Sequence, residues 1–404
     1  MALGFVGKSV CELDVAAVAF HVSESIISCS VIQPDGQASR HVIGPVEDFL
    51  PSIDAVVDGL ARTTDVARGR VAALRRFVSG PAMNLLPGSV RQAPPDVLVI
   101  IPHGILHGVP LHLLHVECGV PLCSVAGVTY SSSLSEFVQC AKRNPARQRV
   151  GAEALEVRDQ PAVPRRVAAY CGDVLGREEA RFQEIKSAVE AAVEHRLVQV
   201  GDRGEMKLLV RAWGRKPPAE PLDAVVVVAH GYVDPVSHDL SGVLVVRKAT
   251  GHIERGGRMW EPIAMDGLGV FYLPDLPASL PPSGWDVPPG TETLTIADLR
   301  TSTLSGVPLV ALFGCSAGWS RLVRGDVPSS FGQAFLTVGS STVVAPSWDA
   351  EVGTSAQWAR YFFTAWSKFR WPAALSATYA TDLLHRSGVP VEHYGAFTLR
   401  GDWL

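Results

Sequence analysis

The feature that most restricts the fold is a set of short runs that are apolar at every position. Val97–Ile101 (VLVII), Ala224–Val228 (AVVVV), Leu309–Phe313 (LVALF) and the SSTVVAPSW stretch are rich in β-branched residues and bounded by turn formers. Such runs are too short for helices. A strand sends alternate side chains to opposite faces, so one that is apolar throughout must be covered on both faces. Segments of helical period lie between them: GREEARFQEIKSAVEAAV with acids early, GEMKLLVRAWG and PSSFGQAFLTVG. RVAAYCGD and RLVQVG read as two further strands. Strands alternating with helices predict an α/β fold with a mostly parallel central sheet flanked by helices. At roughly 150 residues per domain, 404 residues allow two or three domain-sized units, and a core large enough to need no disulfide or metal.

Several function classes are disfavoured. The net charge is −4, so the basic surplus of a nucleic-acid binder is missing. No stretch approaches the roughly 18 apolar residues of a spanning helix, and no membrane role is expected. The amino-terminal segment is interrupted by Lys8, Glu12 and Asp14 and does not read as a signal peptide. The seven cysteines are odd in number and irregular in spacing, which points to a reducing cytoplasm and leaves one thiol outside any intrachain pair. Neither a G-x-S-x-G elbow nor a Walker loop is present. His103, His107, His112 and His115 cluster with Cys118 and Cys123, but the spacings fit no zinc finger, and Pro102 and Pro110 break any single helix. No metal and no other cofactor is expected.

Along the chain, CELDVAAVAFHVSESIISCSVI shows apolar strands broken by Ser and Glu, and Gly44–Val78 has a helical period. The Arg-rich segment 141–166, with Pro145, Pro161 and Pro164, is the best internal boundary and divides 1–150 from 151–404. A long insertion at 233–291, dense in Pro and Gly, is expected to form a loop or short hairpins over the carboxyl edge of the sheet.

Ligands of open α/β sheets bind at the carboxyl ends of the strands. There AVVVVAHG delivers His230 and Gly231, and LVALFGC delivers Cys315 followed by Ser316, Ala317 and Gly318. A thiol at a strand end is reachable, and a neighbouring imidazole can hold it as thiolate or relay its proton. Gly231 allows close approach, and its N–H with that of Cys315 would form an oxyanion hole for acyl transfer. The alternative is a buried apolar Cys315 and a satisfied core His230; spacing alone does not separate the two.

Several segments, taken in order, resemble the CHAT domain, the bacterial caspase-like module named for its association with tetratricopeptide repeats and grouped with caspases, separases and gingipains. VIIPHGILHGVPLHLL, GVTYSSSLSEF, VVVVAHG, LTIADLRTSTLSGVPLVALFGCSAG, FGQAFLTVGSSTVVAPSW and HYGAFTLRGDWL carry the resemblance. It implies a caspase-like fold, with 1–150 a degenerate amino-terminal half, 151–404 the catalytic half, and both in one unit. It implies His230 as general base or proton shuttle and Cys315 as nucleophile of a cysteine endopeptidase. His103 stands where the family usually has Asp before Gly104. In WDAEVGTS, Asp349 and Glu351 are the candidates for acids that hold a basic P1 residue, with Asp173 a further candidate; the plainer reading is a solvated acidic loop. The resemblance further implies a protein or peptide substrate, a regulatory protein or activating protease, and a role in bacterial defence or cell death. A catalytically silent scaffold that binds partner proteins is the alternative, and an acyltransferase on the same fold a third reading.

Overall fold

The structure is a computed structural model that describes residues 8–61, 67–145, 147, 167–171, 177–193, 197–199, 222–232, 242–245, 253–255, 258–265, 269–274, 292–301, 304, 307–314, 317–318, 321–323 and 327–404. Eleven strands form one sheet. In chain order they are β1 (Val15–Val22), β2 (Ile26–Ile32), β3 (Ala38–Pro45), β4 (Val97–Ile101), β5 (Gly127–Tyr130), β6 (Val167–Cys171), β7 (Leu197–Gln199), β8 (Ala224–Val228), β9 (Leu309–Phe313), β10 (Thr342–Pro346) and β11 (Phe397–Gly401). Across the sheet the order is β3-β2-β1-β4-β5-β11-β10-β9-β8-β6-β7. Neighbours are parallel except at β1–β2, β2–β3 and β10–β11.

Every residue of β4, β8, β9, β10 and β11 is buried, as expected for the first four, which are apolar at nearly every position; β11 (FTLRG) is buried although it carries Thr398 and Arg400. The edge strand β3 was not evident in the sequence. It carries Ser39, Arg40 and His41, is mostly exposed, and so offers little to another sheet edge. The helical stretch before β4 is two helices, Val46–Ala61 and Ala67–Ser79.

Alternation divides the core by face. Leu98 and Ile100 of β4 join one cluster with Phe49, Ile53, Leu74 and Phe77 from those two helices. Val225 and Val227 of β8 join another with Phe331 and Phe335 of the helix Phe331–Thr337. Tyr130, in the first cluster, pairs across β11 with Arg400, and Arg400 pairs with Val343 of the second, so these clusters share one face. The opposite face is covered by Arg177–Val193, Val352–Phe363 and Ala373–Arg386.

The antiparallel β10–β11 junction is where strand direction reverses. β1, β4, β5 and β11 run one way, and β6 to β10 the other. The last strand in sequence therefore sits mid-sheet, paired with β5 of the first half and β10 of the second. Within the 233–291 insertion, Gly242–Val245 pairs with His230–Tyr232 and Glu292–Thr295, while Ile253–Arg255, Arg258–Met265 and Gly269–Pro274 form a separate small sheet. These are short hairpins of the expected kind. The helix expected over 204–214, most of the 141–166 linker and the proline-dense 275–291 lie outside the described residues. No helix among the described residues is long and apolar enough to cross a membrane.

Candidate active site

β8 and β9 are adjacent, parallel and in register over their whole length, with Val228 opposite Phe313. Ala229 N–H continues the ladder to Phe313 C=O at 3.3 Å. His230 then starts a short strand opposite Leu244, with Gly231 opposite Val243. The imidazole of His230 lies outside the described residues, as do all of Cys315, Ser316 and Asp173. The residues flanking Cys315 and Ser316 are firmly tied. Ala317 N–H donates to Gly314 C=O at 3.1 Å, Gly318 N–H to Pro346 C=O at 2.8 Å, and Gly332 N–H to Ala317 C=O at 2.9 Å. A Cβ on Gly318 would stand 3.1 Å from Ala345 Cβ and from the carbonyl oxygens of Ala345 and Pro346. Glycine suits this position because the two backbones approach closely, and a side chain would need its neighbours to give way.

Past the end of β10 come the acids expected to read a basic side chain. Trp348 is buried and donates its Nε1–H to Glu392 C=O at 2.8 Å. Asp349 follows it, half-buried. Glu351 is instead the N-cap of Val352–Phe363 and accepts from Gly353 N–H at 2.9 Å and Thr354 N–H at 2.6 Å. Burial works to raise its pKa, but those backbone donors and the nearby His393 outweigh it and hold the carboxyl below its ordinary value. Both Glu351 oxygens are thus engaged on its own helix.

Of the histidine–cysteine cluster, His112 and Cys123 are buried in the core. His112 is buried, with Nε2 2.8 Å from Gly395 C=O and Nδ1 2.8 Å from the Tyr130 hydroxyl. A carbonyl only accepts, so Nε2 carries the proton and Tyr130 O–H donates to Nδ1. Burial depresses the His112 pKa to about 4, against the bond to Gly395, and keeps the ring neutral. Burial likewise pushes the Cys123 and Cys140 thiols up to about 12 and Cys29 to about 11, which keeps them protonated.

Sequence reasoning missed a small cleft of about 30 Å³ beside the middle of the sheet, lined by Gly318, Ser347, Trp348, Thr398 and Arg400 and by His107 to Pro110, His112 and Tyr130. Arg400 is buried there and donates Nη2–H to Gly318 C=O at 3.3 Å. The available signal was a lone charge inside the otherwise strand-like FTLRG.

Together these features define a caspase-like α/β fold. In shape the chain is similar to separase in the Saccharomyces cerevisiae separase–securin complex, with a TM-score of 0.55 and 9% identity over 96% of this chain and 30% of that one. A second structure of that complex gives 0.55 and 8% over the same shares. The chain therefore spans 30% of the separase length. The Arg-specific cysteine proteinase gingipain R is similar at a TM-score of 0.40 and 9% identity, over 88% of this chain and 74% of that one. No curated protein matches. The family model of the CHAT domain matches residues 70–386, and the chain belongs to that family. β1 to β3 and the bridging β11 lie outside the matched span.

Proposed function

We propose that this CHAT-domain protein is a cysteine endopeptidase with His230 and Cys315 as its dyad. The observation that carries the reading is the β8–β9 register. Val228 faces Phe313 on parallel neighbours, and His230 and Cys315 each follow two residues later. His230 takes the thiol proton, and the thiolate attacks the scissile carbonyl. The N–H groups of Gly231 and Cys315 receive the developing oxyanion. Collapse expels the amine, which takes its proton from the imidazolium, and leaves a thioester on Cys315. Water deprotonated by His230 hydrolyses that thioester and restores the thiol.

The substrate on this reading is a specific protein with a basic P1 residue. The candidate acids are Asp349, Glu351, whose carboxylate also caps its own helix, and Asp173. A regulatory partner or an activating protease in the cytoplasm, within a bacterial defence or cell-death pathway, completes the proposal. So does the division into a degenerate half at 1–150 and a catalytic half at 151–404.

The test combines a thiol-directed peptide probe with a P1 peptide library. Cys315→Ala should abolish labelling and turnover, and His230→Ala should lower turnover by about 10²-fold or more. Turnover that survives Cys315→Ala would sink the assignment. A wild-type chain that never labels or cuts, with candidate activators present, would favour the silent scaffold. Turnover of small thioesters without cleavage of proteins would favour the acyltransferase. Preference for Asp or a large apolar residue over Arg and Lys would remove the acidic pocket.

A further inference from the structure

The middle of the sheet holds a charge that the dyad does not use. Arg400 is 8% exposed, on the face shared by the two apolar clusters, with Tyr130 on one side and Val343 on the other. Its Nε is buried without a hydrogen-bond partner, and its bond to Gly318 C=O is long. Among the described residues no carboxylate reaches it within ion-pair distance. Glu136 is the negative group that acts on it from further away. That carboxylate is committed elsewhere: Oε2 accepts from Ser131 Oγ, Ser132 N–H and Ser132 Oγ, and Oε1 from Gln333 Nε2. Burial lowers the Arg400 pKa, in keeping with a cation short of compensation. A buried guanidinium left so is costly to the folded state, and an arriving anion would offset that cost.

The cleft in front of Arg400 fits a small anion. At about 30 Å³, and with one water-sized probe needing roughly 10–15 Å³, it takes about two or three heavy atoms. That is the size of a carboxylate and less than a phosphate. The other hydroxyls of the cleft have their hydrogens committed. Tyr130 donates to His112, Thr398 Oγ1 donates to Ala345 C=O at 3.2 Å, and Ser347 Oγ lies 3.0 Å from Thr398 Oγ1 as its donor. Of the side chains lining the cleft, the guanidinium is therefore the charged donor an anion would meet, with the His107 imidazole also on its wall.

We propose that this cleft is a carboxylate-binding subsite in which Arg400 receives the two oxygens through its Nε edge. The fork geometry of a guanidinium matches a carboxylate, which a lysine at the same place would not. The residues that line the subsite do not include the acids after β10. It adjoins the loop that carries Cys315, because Gly318 both lines it and holds Arg400. The carboxylate comes either from an acidic side chain of a bound peptide or from a free small acid.

Saturation-transfer NMR on the full chain with acetate tests the site, with chloride at matched ionic strength as control. Wild type should bind acetate saturably, formate should displace it, and chloride should not. Arg400→Met should lose the signal while still melting cooperatively, and Arg400→Lys should weaken binding by about tenfold. Two peptides, Ac-Gly-Glu-Gly-amide and Ac-Gly-Gln-Gly-amide, separate the sources. Tighter binding of the Glu peptide assigns the carboxylate to a peptide, and equal binding of the two alongside retained acetate binding assigns it to a free acid. No saturable acetate signal in wild type, or an unchanged signal in Arg400→Met, overturns the proposal. Neither readout depends on catalytic turnover, so it stands or falls separately from the dyad.

Discussion

At the scale of single residues, the loop after the proposed nucleophile tolerates little change. A Cβ at Gly318 would stand 3.1 Å from two carbonyl oxygens, so Gly318 or its neighbours would have to shift by a few tenths of an ångström. Gly318→Ala should cost about 1–3 kcal/mol through overpacking, read as a lower denaturation midpoint at unchanged slope. An unchanged midpoint would mean that the loop relaxes freely. Glu351 gives a prediction with a sign in pH. Its folded pKa lies below the ordinary 4.5, so its extra contribution is complete above that pH and is lost as pH falls through the folded value. The melting difference between wild type and Glu351→Gln should hold steady from neutral pH down to about 4.5 and shrink below it. Glu351→Ala removes the cap altogether and should cost about 1 kcal/mol at neutral pH. His230 and Cys315 could be singled out as candidates because each stands two residues past the end of an apolar strand. The capping role of Glu351 was not, because WDAEVGTS shows an acid without showing where the next helix begins.

At the scale of elements, the carboxyl terminus is fastened by a buried carboxylate. Asp402 is 0% exposed and accepts from Asn144 Nδ2 at 2.9 Å and from Arg147 Nε at 2.8 Å, just past the helix Leu134–Arg143. Arg147 also lies 4.8 Å over the Trp403 ring. Asp402→Ala strands a cation and an amide. It should destabilise by about 3 kcal/mol, more than Arg147→Ala, whose partner is still held by Asn144. A loss under 1 kcal/mol in chemical denaturation would show that water replaces Asp402. The strands that were apolar throughout were readable, since nothing but a doubly covered strand suits such a run. β3 was not, because its exposed Ser, Arg and His lack the alternation of a half-buried strand. The helical stretch before β4 was readable as helical but not as two helices.

At the scale of the whole molecule, β11 decides how the halves behave. It pairs with β5 on one side and β10 on the other, so the eleven-stranded sheet is not continuous without it. Thermal unfolding followed by calorimetry should show one transition rather than two, and truncation before Phe397 should abolish cooperative melting of the whole. Two well-separated transitions would mean that the halves fold independently and that β11 only bridges them. The sequence by itself determined the class of fold, because runs such as AVVVV and LVALF demand cover on both faces and the helices between them supply it. It also determined which strand ends carry a thiol and an imidazole, because covalent order puts His230 and Cys315 there. Only the tertiary structure decided that the final strand lies mid-sheet, that Glu351 is turned to its own helix, and that Arg400 stands buried in a cleft beside Gly318. Each depends on pairing between segments far apart in the chain. Local residue patterns carry no information on such pairing, which is settled by which faces bury the most apolar surface together.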